Sequence, residues 1–253
     1  MIKLNLIQKI AFKIKIFFYF FISRRKISYN NISFQILTGN WITKYRAETF
    51  ITKEPDTLEW IDDNLLDGDI FFDIGANIGL YSIYASLKKK NIRVFSFEPE
   101  YSNLNQLKKN ILLNKLHNNI TPFSIGVGDQ KNLSFLHIQD FTAGAALHTV
   151  SKNILDETIS GKKVLWKEGI ACFSLDEICD NLKIVPNLIK IDIDGTEESI
   201  LKNAEKTFRN HNLRSILIEI EEINNFKKTE NILLDFGFTM LSKYNNNQVW
   251  KRL

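Results

Sequence analysis

The sequence predicts an α/β fold: a doubly wound, mostly parallel seven-stranded sheet with a β-rich insertion and a basic, apolar N-terminal arm. Three observations point to it. From Asp69 onward, short apolar runs rich in β-branched and aromatic residues alternate with stretches of helical spacing, the pattern of strands joined by crossover helices. A glycine turn follows the first of those runs, where a buried strand passes into a helix. The chain has 253 residues, 44% hydrophobic and 25% charged, which suits one large or two small globular domains and excludes disorder throughout.

The arm comes first. Nine basic and no acidic residues precede Glu48, and the remainder carries five more acidic than basic residues. A mildly acidic body does not suit nucleic acid, which needs positive charge on a folded face. The apolar run Ile16 to Ile22 is far shorter than the roughly 20 residues that span a bilayer. Arg24, Arg25 and Lys26 stand where a signal peptide needs a small-residue cleavage site, so a cytoplasmic protein is expected. As a helix, the arm aligns Ile10, Ile14, Phe17, Phe18 and Phe21 on one face with lysines toward the flank. That pattern suits peripheral contact of residues 1–27 with anionic lipid at the inner face of a membrane, and equally a segment packed on the protein's own core. Cys172 and Cys179 lack the spacing of a zinc or redox pair, and a chain with two cysteines fits a reducing compartment.

The body is expected over residues 48–253, after an arm of residues 1–47. Its strands are Ile70–Ile74, Ile92–Phe97, Ile120–Ile125, Leu188–Ile193, Arg214–Ile220, Phe238–Ser242 and Gln248–Lys251. Helices are expected at about Ile78–Lys90, Ser102–Lys115, Thr196–Arg209 and Phe226–Phe236. Between about 130 and 186 the helical pattern lapses into short alternating segments, read as a β-rich insertion or lid.

The segment Phe71-Phe-Asp-Ile-Gly-Ala-Asn-Ile-Gly79 is the most informative. Glycine at a strand-to-helix turn lets backbone approach a ligand, and the helix N-terminus presents unpaired N–H groups. A dinucleotide fingerprint starting at Gly75 needs glycine at 77 and 80, where the chain has Asn77 and Leu80. Asp73 at the strand end repels a pyrophosphate but suits a ligand with an amino group and positive charge, which S-adenosylmethionine carries. Glu98, about 20 residues beyond the turn, stands where an acid takes ribose hydroxyls in doubly wound folds. Asp129, after Gly126-Val-Gly128, is placed to receive the adenine amino group, or closes an ordinary turn. Three strand-end acids converge on one crevice.

With Phe97-Glu-Pro99, Gly126-Val-Gly-Asp129 and Ile189-Lys-Ile-Asp-Ile-Asp-Gly195, this series resembles the FkbM family of S-adenosylmethionine-dependent methyltransferases, a branch of the class I Rossmann-like methyltransferases. The resemblance runs from about Asp69 to Glu221. It implies cofactor contacts from Asp73, Gly75, Asn77, Gly79, Glu98 and Asp129, and transfer of a methyl group to a hydroxyl, such as that of a saccharide or glycan precursor. The family commonly has Glu where this chain has Asp194.

Methyl transfer to an alcohol requires positioning and a proton acceptor. Asp192 is the first candidate for base or orienting residue and Asp194 the second, unless Asp194 caps the following helix. His148 is an alternative base, with a surface strand as its other reading. Glu219, Glu221 and Glu222, at the end of the next strand, contact an acceptor or solvent; His117 and His211 are expected in solvent. Two further functions stay open. Asp192-x-Asp194 as a divalent-metal pair would serve a nucleotide-sugar glycosyltransferase, and a non-catalytic relative would bind cofactor without turnover.

Overall fold

A computed structural model describes residues 6–151, 153, 158–159, 162–193, 195, 197–220 and 223–252. After helix α1 (Leu6–Ile22) come the hairpin β1 (Arg24–Tyr29) and β2 (Ile32–Leu37), then α2 (Trp41–Lys53) and α3 (Pro55–Asn64). The α/β body runs through β3 (Ile70–Ile74), α4 (Leu80–Lys88), β4 (Arg93–Phe97), α5 (Tyr101–Leu113) and β5 (Ile120–Phe123). The insertion contains β6 (Gly126–Val127), β7 (Asn132–Ile138), β8 (Thr149–Ser151), β9 (Thr158–Ile159), β10 (Lys162–Lys163), β11 (Trp166–Phe173) and α6 (Leu175–Leu182). The chain closes with β12 (Leu188–Ile191), α7 (Glu197–Lys202), α8 (Glu205–Arg209), β13 (Ser215–Glu219), α9 (Ile223–Asp235), β14 (Phe238–Tyr244) and β15 (Asn247–Arg252).

The seven-stranded sheet has the order β14-β15-β13-β12-β3-β4-β5. It is mixed, parallel for the most part as expected: β13 to β5 pair in parallel, whereas β15 runs antiparallel to both β13 and β14. The reason is chain length. Only Asn245 and Asn246 join β14 to β15, with Asn245 at φ +51°, and two residues make a hairpin but never a crossover.

Alternate strand residues feed two cores. Phe71, Val94, Ile120 and Leu188 pack with Leu58, Trp60, Ile83 and Leu107. Phe72, Ile74, Ile189 and Ile191 pack with Ile178, Ile200, Phe208 and Leu233 on the other face. Both faces being covered, the central strands read as continuous apolar runs. The single helix expected from Thr196 to Arg209 is two, α7 and α8, separated at Asn203 and Ala204.

The arm expected over residues 1–47 divides at Ser23. Asn30 (φ +46°) and Asn31 (φ +63°) form a two-residue turn that pairs Tyr29 with Ile32, and Ile27, Phe34 and Ile36 face inward. Phe34 meets Phe50 of α2 edge-on at 5.5 Å between ring centroids. Residues 24–47 therefore belong to the packed body. In α1, by contrast, Leu6, Ile7, Ile10, Phe12 and Ile14 are exposed. Among the described residues no helix is long and apolar enough to cross a membrane.

The insertion builds a second sheet, β6-β11-β7-β8. It also contains a helix not expected there. Ser174 and Glu177 form a capping box that starts α6, whose Leu175, Ile178 and Cys179 join the second core.

Candidate active site

Strand order reverses between β3 and β12, and a cavity of about 280 Å³ opens at the carboxyl ends of the strands there. Gly75 and Asn77 come from the turn after β3, Glu98 from the end of β4, Asp192 from β12 and Glu219 from β13. A smaller chamber beside it shares Arg46, Lys53, Gly75, Asn77 and Asp192 and adds Glu54, Tyr81 and Lys190.

Gly75, at φ +78°, lies so close to the next strand that a Cβ would sit 1.8 Å from the Asp192 carbonyl oxygen. Only glycine lets β3 turn while β12 lies against it. The Asn77 N–H donates to Glu98 Oε2 at 2.8 Å and the Glu100 N–H to Oε1 at 2.9 Å. Burial pushes the Glu98 carboxyl up to about 7, against those two hydrogen bonds.

Three expected site residues stand elsewhere. Asp73 is buried beneath the cavity, where it accepts a hydrogen bond from Ser82 Oγ at 2.5 Å and lies 4.0 Å from Lys190 Nζ. Register explains this, since Asp73 and Lys190 are cross-strand partners of β3 and β12 and face the same way. Gly79, at φ +86°, starts α4, and a Cβ there would meet Leu107 Cδ1 at 2.2 Å, so it serves helix packing. Asp129 is absent from the cavity wall; it accepts a 3.4 Å hydrogen bond from Asn132 Nδ2 in the turn before β7, while Ile125, Gly126 and Val127 line the cavity instead. Asp194, Glu221 and Glu222 lie outside the described residues.

The match to known sequences is decisive for the family. Residues 73–240 match the profile described as the Methyltransferase FkbM domain. The chain belongs to this family.

Among similar proteins, Methyltransferase sdnD of Sordaria araneosa is 25% identical over 219 residues, covering 78% of this FkbM chain and 84% of the relative. Hexuronic acid methyltransferase AglP of Haloferax volcanii is 23% identical over 169 residues, 66% of this chain and 62% of the relative. A solved FkbM methyltransferase from Methylobacillus flagellatus KT superposes with a TM-score of 0.51 at 20% identity, over 74% of this chain and 44% of that one. Fibrillarin of Aeropyrum pernix, solved with natively bound S-adenosyl-L-methionine, gives 0.50 at 11% identity over 90% of this chain and 81% of that one. The chain thus spans less than two thirds of the Haloferax and Methylobacillus proteins, and the two structures share its fold.

Lys190, fully buried on an apolar strand, lines the smaller chamber of the FkbM site beside Asp192. Its Nζ lies 2.6 Å from Asp192 Oδ2 and 5.2 Å from the Tyr81 ring centroid. Burial alone would lower the Lys190 pKa, but Asp192 and Asp73 raise it above the ordinary value, so the ammonium persists. Burial raises Asp192, yet Lys190 and a hydrogen bond shared with Glu219 bring it down to about 2. Glu219 moves the other way, to about 9, through burial and the Asp192 charge. Asp192 and Glu219 thus titrate as a pair, Asp192 held low by Lys190 and Glu219 pushed high by burial and the Asp192 charge, and the pair shares one proton near neutrality.

His148 also lines the cavity, and neither of its ring nitrogens has a hydrogen-bond partner among the described residues. Burial lowers its pKa, leaving a neutral imidazole. His117 and His211 are exposed, as expected.

Sequence reasoning missed the clasp that holds the Gly144–His148 segment over the cavity. Asn40 Nδ2 donates to the Ala143 carbonyl at 2.9 Å, Arg46 Nε to Gly144 at 2.5 Å and Asn77 Nδ2 to Ala145 at 2.8 Å. Asn103 donates to the Ala145 carbonyl at 3.1 Å and accepts from the Gly144 N–H at 2.7 Å. The available signal was Asn40-x-x-Thr43, the capping box that fixes the start of α2 and thereby Arg46.

Proposed function

We propose that the chain is an S-adenosylmethionine-dependent O-methyltransferase whose acceptor is a saccharide hydroxyl. The observation that carries this reading is Glu98, a buried strand-end carboxylate on the cavity wall, one strand from the glycine turn where added side-chain atoms cannot fit. Those residues suit a nucleoside with an amino-acid tail. Glu98 would take the ribose hydroxyls, and Ile125 and Val127 would wall the purine. Asp73, a buried partner of Lys190, is a positioning residue here. A pyrophosphate would meet the carboxylates of Glu98 and Asp192.

S-adenosylmethionine supplies, when bound, a methyl group on a positively charged sulfur. The chain supplies position and proton transfer. Asp192, held ionised by Lys190, is suited to orient a hydroxyl but too weak a base to deprotonate it. His148, neutral and without a hydrogen-bond partner among the described residues, matches the proton-acceptor role better. A sugar acceptor is favoured by the Haloferax relative, whose name gives a hexuronic acid as its substrate. The Lys190 ammonium against Asp192 occupies the place a divalent ion would need, which weighs against the glycosyltransferase alternative.

The test is incubation with methyl-labelled S-adenosylmethionine and a panel of glycans. Label in a glycan, with S-adenosylhomocysteine formed in equal amount, is expected. Manganese-dependent hydrolysis of a nucleotide sugar without methyl transfer would overturn the reading, and cofactor binding without turnover on any glycan would favour a non-catalytic relative.

A further inference from the structure

The mouth of the cavity opens into a groove of about 490 Å³ that shares Arg46, Lys53, Ala145, Ala146 and Leu147 with it. Two large aromatic side chains line this groove and stay in solvent: Trp41, 72% exposed, and Tyr45, 50% exposed. They stand four residues apart on α2, so they lie on one face of that helix. Burial would stabilise both, so leaving them exposed beside a ligand cavity marks a contact surface.

The polar groups define what it contacts. Arg46 spends its Nε on the Gly144 carbonyl, while its two terminal nitrogens make no hydrogen bond among the described residues. A guanidinium fixed at one edge, with two parallel donors left over, is shaped for a carboxylate. The neighbouring Lys53 is paired to Glu54 at 2.5 Å and does not compete for it. Asp140, on the same groove, accepts from the Thr142 N–H at 2.7 Å through one oxygen, and the carboxylate suits a sugar hydroxyl donor.

We propose that this groove is the acceptor-docking subsite, and that it takes a carboxylate-bearing saccharide. The apolar C–H face of a ring stacks on Trp41 and Tyr45, and the carboxylate pairs with Arg46. The inference rests on the methyltransferase reading for its chemistry, but its contacts lie outside the residues assigned to the cofactor.

The test uses the full chain with a glucuronic-acid-terminated disaccharide and its carboxyl-reduced counterpart, read by tryptophan fluorescence and saturation-transfer NMR. S-adenosylmethionine affinity is measured separately by calorimetry. We expect the acidic disaccharide to bind at least tenfold more tightly than the reduced one, and Trp41→Ala to weaken both about tenfold with its cofactor titration unchanged. Arg46→Gln should abolish the acid preference. Equal binding of the two sugars, indifference to Trp41→Ala, or no saccharide binding by a protein that binds cofactor would each overturn the subsite and leave the methyltransferase reading standing. Saccharide binding through Trp41 without cofactor binding would do the reverse.

Discussion

At the residue scale, Glu98 links stability to ligand binding through its proton. Its carboxyl titrates at about 7 in the folded protein against an ordinary 4.5, so the native state holds a proton that the unfolded chain has lost between those values. The stability this group contributes is complete below pH 4.5 and is lost as pH rises to 7, about 3 kcal/mol in all. We therefore expect the Tm of Glu98→Gln relative to the wild type to rise between pH 5 and pH 8, as followed by thermal denaturation. Lys190→Met, which strands Asp73 and Asp192, should cost roughly 3–5 kcal/mol in urea unfolding. His148 gives a third expectation. The wild-type kcat/KM should rise with pH through a value below the ordinary 6.5 of histidine, and His148→Ala should lose that limb. That Glu98, Asp192, Gly75 and Asn77 line one cavity was legible because each ends a recognisable strand or occupies its turn. That Asp73 stays off the cavity wall was not legible, because strand-end position says nothing about which face a side chain takes, and that face is set by the pairing with Lys190.

At the element scale, the N-terminal segment divides in two. Residues 24–37 form a hairpin whose Ile27, Phe34 and Ile36 complete a core, whereas described side chains of α1 stay in solvent. Phe34→Ala should cost about 3–5 kcal/mol in chemical denaturation. Deleting residues 1–22 should leave Tm unchanged and, if α1 is an interfacial helix, abolish sedimentation with anionic liposomes; retained sedimentation would remove that role from α1. The hairpin was hidden in the sequence because its basic residues blur the alternation, and its Asn30-Asn31 turn lacks the usual glycine. The helix at Leu175–Leu182 was missed although Ser174-x-x-Glu177 announces it, because two apolar turns are too short to show a period.

At the scale of the whole molecule, the parallel strands from β13 to β5 place four strand ends around one crevice, and the insertion and α2 close over it. The alternation of strand and helix made the central strands legible. The clasp over the crevice was not, because it joins Asn40, Arg46, Asn77 and Asn103 to a segment as many as 103 residues distant from its partner. Such contacts leave no local pattern. The claim that this crevice holds S-adenosylmethionine is tested most directly by calorimetric titration of the purified protein, alongside Glu98→Ala and a nucleotide-sugar control. We predict saturable binding to the wild type that is abolished in the variant. A nucleotide sugar bound in its place, with S-adenosylmethionine giving no heat, would contradict it.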